Sequence, residues 1–171
     1  MSNVRSRLIF ISWLLVISLF GLSTVAQAAT SFPQADQIVI YKSDRQMLLI
    51  RDGKVLKQYR IALGKQPKGH KLKEGDHRTP EGTYYVQARN PKSRYYLALK
   101  ISYPSSRDKA RAQKMGVSPG GDIMIHGMSD EYRSFWGRIK DWTQGCIAVR
   151  NHEIEEIWDM VAVGTPIKIL P

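Results

Sequence analysis

The sequence predicts a mainly β fold, a mixed sandwich or barrel with short helices packed on its ends. Three observations carry that expectation. Strand-length apolar runs recur between Gln37 and Ile169, turn residues separate them, and only two stretches show helical spacing.

Taken in order, "QIVIYKS" from Gln37 and "QMLLIRD" from Gln46 read as strands joined by the tight turn Ser43-Asp44-Arg45. Asp52-Gly53 then separates "QMLLIR" from "KVLKQYRIAL". Asp-Gly tolerates the positive φ values of a two-residue hairpin loop, so three strands meander at the start of the domain. The polar stretch "GKQPKGHKLKEGDHRTPEG", Gly64 to Gly82, is long for a plain connection and reads as a functional loop. "TYYVQARN" and "YYLALKIS" are two further strands. "SSRDKARAQKMG" has the Ser/Asp start, the alanines and the closing Gly116 of a short helix. "GDIMIHG" is a strand ending at His126, "CIAV" a short strand starting at Cys146, and "GTPIKILP" a closing strand. The helix between the last two is "NHEIEEIWDMV": Asn151 is expected to cap it, Glu153, Glu155 and Glu156 suit its positive end, and Ile154, Ile157, Trp158 and Val161 form one apolar stripe.

Ahead of these elements, Arg5 and Arg7 precede the apolar run "LIFISWLLVISLFGL" and the small-residue site Ala26-Gln27-Ala28. That order predicts a cleavable secretory signal over 1–28, leaving 29–171 as one domain exported to the periplasm or cell envelope. An uncleaved anchor is the alternative, although the run falls short of the ~18 to 20 apolar residues that span a bilayer. Membrane contact is expected only through this segment. Losing Arg5 and Arg7 lowers the formal charge from +11 to +9. The remaining cations are scattered from Lys42 to Lys168 without a basic block or helix. This suits a solvated surface facing an acidic polymer; nucleic acid is not expected as a partner, since no recognised binding motif accompanies the charge.

Cys146 is the single cysteine of the chain, in "DWTQGCIAVRN". An unpaired cysteine is commonly a small buried hydrophobe, but in an exported protein a leftover one also suggests an intermolecular bridge or a reactive thiol. A thiol nucleophile needs a base and donors for the oxyanion it creates. Of the four histidines, His70 and His77 lie in the polar loop and His152 in the last helix; His126 ends an apolar strand and is followed by Gly127, which permits a sharp turn and close approach of a second chain. Gly145 lets the turn Thr143-Gln144-Gly145-Cys146 aim main-chain N–H groups at one point, as an oxyanion hole requires. The residues thus suggest a Cys-His acyl-transfer site. One cysteine and four scattered histidines offer no metal-ligand spacing. If His126 must be neutral to take the thiol proton, activity should fall as pH drops through the ordinary histidine range.

These residues also carry a resemblance. "IHG" ending at Gly127, "TQGCIAV" beginning sixteen positions later at Thr143, and "RTPEGTYYV" upstream resemble the YkuD-type L,D-transpeptidase catalytic domain. The likeness extends from about Gln37 to Ile169. It implies a β-sandwich of mixed sheets with short flanking helices, and a cradle holding the site. It implies peptidoglycan stem peptides as substrate. Cys146 would attack the carbonyl of the third stem residue and expel the terminal D-alanine. His126 would move the proton, and the acyl group would pass to an amine of a neighbouring stem or a wall-anchored protein. No cofactor is implied. The chain departs from the pattern in having Gln144 where histidine is frequent and Ala148 where arginine is frequent. Arg150 is then a candidate for the carboxylate of the diamino acid, with a plain surface role as the alternative. Trp142 and Trp136 either line the groove or pack, and 128–141 is a candidate lid. Water as acceptor would make the protein an L,D-carboxypeptidase or other hydrolase. A non-catalytic wall-binding domain, with Cys146 structural, is the reading from another class.

Overall fold

The computed structural model describes residues 32–129 and 141–171. The expected signal, Trp136 and most of the candidate lid lie outside the described residues. The strands are β1 (Gln37–Tyr41), β2 (Gln46–Arg51), β3 (Lys54–Arg60), β4 (Gly82–Ser93), β5 (Tyr96–Ile101), β6 (Met124–His126), β7 (Ile147–Ala148) and β8 (Pro166–Leu170). The helices are α1 (Ser106–Lys114) and α2 (Asn151–Met160).

The first hairpin forms as its turn chemistry dictates, with φ of 50° at Asp52 and 73° at Gly53. The strands join into one mixed eight-stranded sheet of order β3-β2-β1-β8-β4-β5-β6-β7. Most neighbours are antiparallel, while β1 with β8 and β6 with β7 are parallel. The mainly β class with short helices is as the sequence predicts, and the sandwich character arises within this one sheet. Its long strand β4 serves both halves, pairing through Gly82–Tyr85 with β8 and through Val86–Ser93 with β5. Register shifts along β4 bend it between the two, as bulges do. Just past β3, Ala62 exchanges two 2.9 Å main-chain hydrogen bonds with Ala148 of β7, so the two edges of the sheet meet. One core results. Ile38, Leu49, Leu99, Ile125, Ile147 and Ile167 are fully buried in it, each worth roughly 1.5–3 kcal/mol of transfer free energy.

Both helices sit near their expected places. Ser105 caps α1, its hydroxyl accepting from the Asp108 N–H. Helix α2 buries Ile154, Ile157 and Met160, and Trp158 is partly buried under the guanidinium of Arg89. Its cap differs from expectation. Arg150 is the N-cap, its main-chain N–H donating to Glu153 at 2.7 Å. The Asn151 side chain instead accepts from Met128 N–H at 2.7 Å. A short polar side chain serves whichever backbone donor lies closest, and here a tertiary neighbour is closer than its own helix.

The long loop after β3 is ordered by two buried lysines. Lys42 Nζ donates to Gly69 O (2.6 Å), Thr79 O (2.9 Å) and Glu81 Oε1 (2.8 Å), tying both ends of the loop to β1. Lys71 Nζ donates to Asp76 (2.8 Å), whose carboxylate also accepts from the Leu72, Lys73 and Arg78 N–H groups. Although burial opposes ionisation, the Lys71 ammonium and these donors hold the Asp76 carboxyl below its usual range.

Candidate active site

Strands β6 and β7 set the geometry. They run parallel with Ile125 opposite Ile147 and His126 opposite Ala148. Side chains alternate along a strand, so Ile125 and Ile147 enter the core while His126, and Cys146 two residues before Ala148, face the other side. Cys146 therefore stands diagonally across from His126, one side-chain repeat back. Both line a groove of ≈ 650 Å³ together with Gln144, Trp142, Tyr95 and Arg94.

His126 is buried at 2% exposure, with Nδ1 2.7 Å from Gly127 O. Only a protonated Nδ1 satisfies a carbonyl acceptor, which leaves Nε2 with the free lone pair of a base. Tyr95 stacks on the imidazole at 4.6 Å, and Trp142 meets it edge-on at 5.8 Å. This aromatic casing strips water from the ring. Burial is the leading reason that the His126 pKa is lowered from 6.5 to about 4. The activity limb expected in the ordinary histidine range is therefore displaced toward pH 4. Burial likewise raises the Cys146 thiol, opposed by a main-chain hydrogen bond from Met124 and by the charges of Lys71 and Arg94. The sulfur lies 3.5 Å from Asp122 O. Both shifts favour the uncharged forms, a thiol and a neutral imidazole lining one groove.

The turn before the cysteine is held by its own hydrogen bonds. Thr143 Oγ1 donates to Cys146 O at 2.7 Å and accepts from Gly145 N–H at 3.1 Å. Its main chain bonds Leu63 O and Lys65 N–H. Thr143 is buried and lines the groove, and its hydroxyl and main chain brace the turn. Gly145 N–H is consumed by the same hydroxyl and is not free to serve an oxyanion. The glycine is required for another reason. With φ of +129°, its missing Cβ would stand 2.7 Å from Arg78 O, so the long loop presses directly on the turn. Gly127 is similarly hemmed in, since a Cβ there would lie 2.7 Å from Asn151 Oδ1. Thr143→Val should cost about 1–3 kcal/mol, the scale for leaving buried partners unsatisfied. Urea denaturation of the two proteins measures it, and an unchanged midpoint would remove Thr143 from this role.

Arg150 lies apart from these residues. It is exposed at the start of α2 and is not among the groove-lining residues. The cations that line the groove are Lys65, Lys71, Lys92 and Arg94; Arg94, in the turn between β4 and β5, has its guanidinium carbon 4.8 Å from the Tyr95 ring centroid. Sequence reading did not single out Arg94 or Tyr95. Their signal was present as the turn "NPKSRYY", but only the pairing of Ala98 with His126 carries that turn to the imidazole. Trp142 both lines the groove and packs on His126. Its segment is held by Asp141, which accepts from Arg45 Nη2 (2.6 Å) and Leu63 N–H (3.0 Å). Among the described residues no group of three His, Cys, Asp or Glu side chains is placed to hold a metal.

Comparison with known proteins agrees with this architecture. The chain is 32% identical over 130 residues to YafK of Escherichia coli (strain K12), whose name places it with the L,D-transpeptidases; the match covers 72% of this chain and 46% of YafK. It is 29% identical over 140 residues to the similarly named YqjB of Bacillus subtilis (strain 168), covering 80% of this chain and 72% of YqjB. The crystal structure of the helical cell shape determining protein Pgp2 from Campylobacter jejuni superposes with a TM-score of 0.62 at 26% identity, over 80% of this chain and 48% of that one. The chain thus spans about half the length of YafK and of Pgp2. The family profile described as YkuD, L,D-transpeptidase catalytic domain, matches residues 35–169, and by that match, over nearly all of the described residues, the chain belongs to this family.

Proposed function

We propose that this chain is an exported cysteine L,D-transpeptidase of the cell envelope, acting on peptidoglycan stem peptides. The observation that carries the reading is the placement of Cys146 and His126 in one groove, with His126 Nδ1 held by Gly127 O so that Nε2 is the base. In the acylation step the sulfur bonds to the carbonyl carbon of the third stem residue, and the amide bond to the terminal D-alanine breaks. The thiol proton passes to His126 and then to the departing amine. Because both groups are neutral at rest, proton transfer accompanies attack and does not precede it. With Gly145 N–H engaged, the main-chain N–H groups of Cys146 and Gln144 are the donors assigned to the oxyanion. The thioacyl group then passes to an amine of a neighbouring stem or of a wall-anchored protein. The names of YafK and YqjB, and the cell-shape role in the name of Pgp2, support a wall substrate.

The test is intact-mass and product analysis after incubation with a purified disaccharide-tetrapeptide. Loss of D-alanine with a dimeric product supports the transpeptidase. A tripeptide product alone makes water the acceptor and the protein an L,D-carboxypeptidase. With folded, reduced protein, absence of any reaction and of a carbapenem adduct would favour a wall-binding domain.

A further inference from the structure

Arg94 stands apart from the other charges of the groove. Lys71 is paired with Asp76 at 2.8 Å and Asp122 with Lys100 at 2.6 Å. Among the described residues Arg94 has no carboxylate partner; its guanidinium rests on the face of Tyr95, whose ring in turn stacks on His126. A guanidinium over an aromatic ring keeps its in-plane N–H donors free for a planar anion. Arg94 is also close enough for its charge to act on both reacting groups, favouring the Cys146 thiolate and disfavouring protonated His126.

We infer that Arg94 is a specificity-determining residue that receives the α-carboxylate of the amino acid leaving the stem peptide. The inference rests on the function proposed above. In a tetrapeptide stem, the terminal carboxylate is separated from the scissile carbonyl only by the amide nitrogen and one α-carbon. When that carbonyl meets Cys146, an anion must lie within the aromatic-lined groove beside the reacting atoms. A guanidinium fork satisfies both oxygens of such a carboxylate at once. Of the lining cations Lys65, Lys71, Lys92 and Arg94, Arg94 is the one whose guanidinium rests on the ring stacked against His126. During the step it exchanges no atoms: the carbon–sulfur bond forms, the carbon–nitrogen bond breaks, the thiol proton ends on the leaving amine, and the carboxylate departs unchanged. The same clamp suits the acceptor. An amine at the D-centre of a diamino acid carries its carboxylate on the adjacent carbon, as D-alanine does, so once the leaving group has gone Arg94 can orient the incoming amine identically.

Binding separates this inference from the catalytic reading. In a Cys146→Ala background, calorimetry is run with the disaccharide-tetrapeptide bearing either a free C-terminal carboxylate or a carboxamide. The free acid should bind about 10- to 100-fold more tightly, the scale of charge-assisted hydrogen bonds. Arg94→Gln should erase that preference and leave amide binding within about threefold, while Arg94→Lys should restore part of it. In the Cys146 protein, Arg94→Gln should raise KM for the free-acid stem. A preference that persists in Arg94→Gln, or that is absent with Arg94 present, overturns the assignment while leaving the proposed function standing. Failure of the Arg94 protein to bind either stem overturns both.

Discussion

Cys146→Ala is expected to abolish the acyl adduct with both stem peptide and carbapenem, and to lower turnover by ~10⁴-fold or more, the scale on which losing an acyl-transfer nucleophile acts. The loss should be chemical and not structural. The thiol's hydrogen bonds are weak main-chain contacts, to Asp122 O at 3.5 Å and with Met124, so stability should change by no more than about 1 kcal/mol. Cys146→Ser should be nearly as inactive. A neutral imidazole whose pKa is lowered to about 4 is a poor base for an aliphatic hydroxyl, whereas a thiol gives up its proton far more readily. The checks are intact mass and D-alanine release, with thermal melting alongside. Substantial release by folded Cys146→Ala would remove the cysteine from the mechanism and return it to the buried-hydrophobe role.

The pH dependence of His126 gives the second large effect. Its folded pKa is depressed from 6.5 to about 4, so the imidazole is neutral and competent throughout pH 5–8. The acid limb due to this residue should lie near pH 4. His126→Gln, which keeps a polar side chain but removes the base, should reduce turnover by ~10²- to 10⁴-fold. The same shift links to stability. Between pH 6.5 and 4 the unfolded chain binds a proton that the native state refuses, so this contribution is fully present above pH 6.5 and is lost as pH falls toward 4. The loss is roughly 3 kcal/mol at ~1.4 kcal/mol per pKa unit, and it should be absent in His126→Gln. Denaturation midpoints at stepped pH measure it. Alkylation of Cys146 by iodoacetamide supplies an independent reading. With a raised thiol and no resting ion pair, the rate should climb toward and beyond pH 9. A rate already at its plateau near pH 5 would establish a preformed thiolate–imidazolium pair and contradict the neutral-pair mechanism.

What could be read without the structure was whatever the chain decides locally. The Asp52-Gly53 turn needs only two residues able to hold positive φ, and both hold it. The strand-length runs and the two amphipathic helices follow from side-chain periods of two and 3.6, which neighbouring residues impose on each other. The ends of "IMIH" and the start of "CIAV" likewise placed His126 and Cys146 at strand termini. Legibility ended where a side chain had a choice of partners. Asn151 has a capping residue's chemistry yet bonds Met128, Gly145 N–H turns inward to Thr143, and Arg150 stays at a helix start while Arg94 occupies the groove.

Composition and local pattern by themselves determined that this protein is mainly β, that it carries one thiol, and that a histidine at a strand end is available to that thiol. Tertiary structure alone decided that the two line one groove. The parallel pairing of β6 with β7 joins segments separated by the intervening chain, and its register aligns their side chains on one face. It also decided the protonation states, because desolvation by Tyr95, Trp142 and the surrounding sheet is a property of packing. Backbone preferences act between adjacent residues and are therefore written along the chain. Register, burial and electric field are sums over residues that only folding brings together.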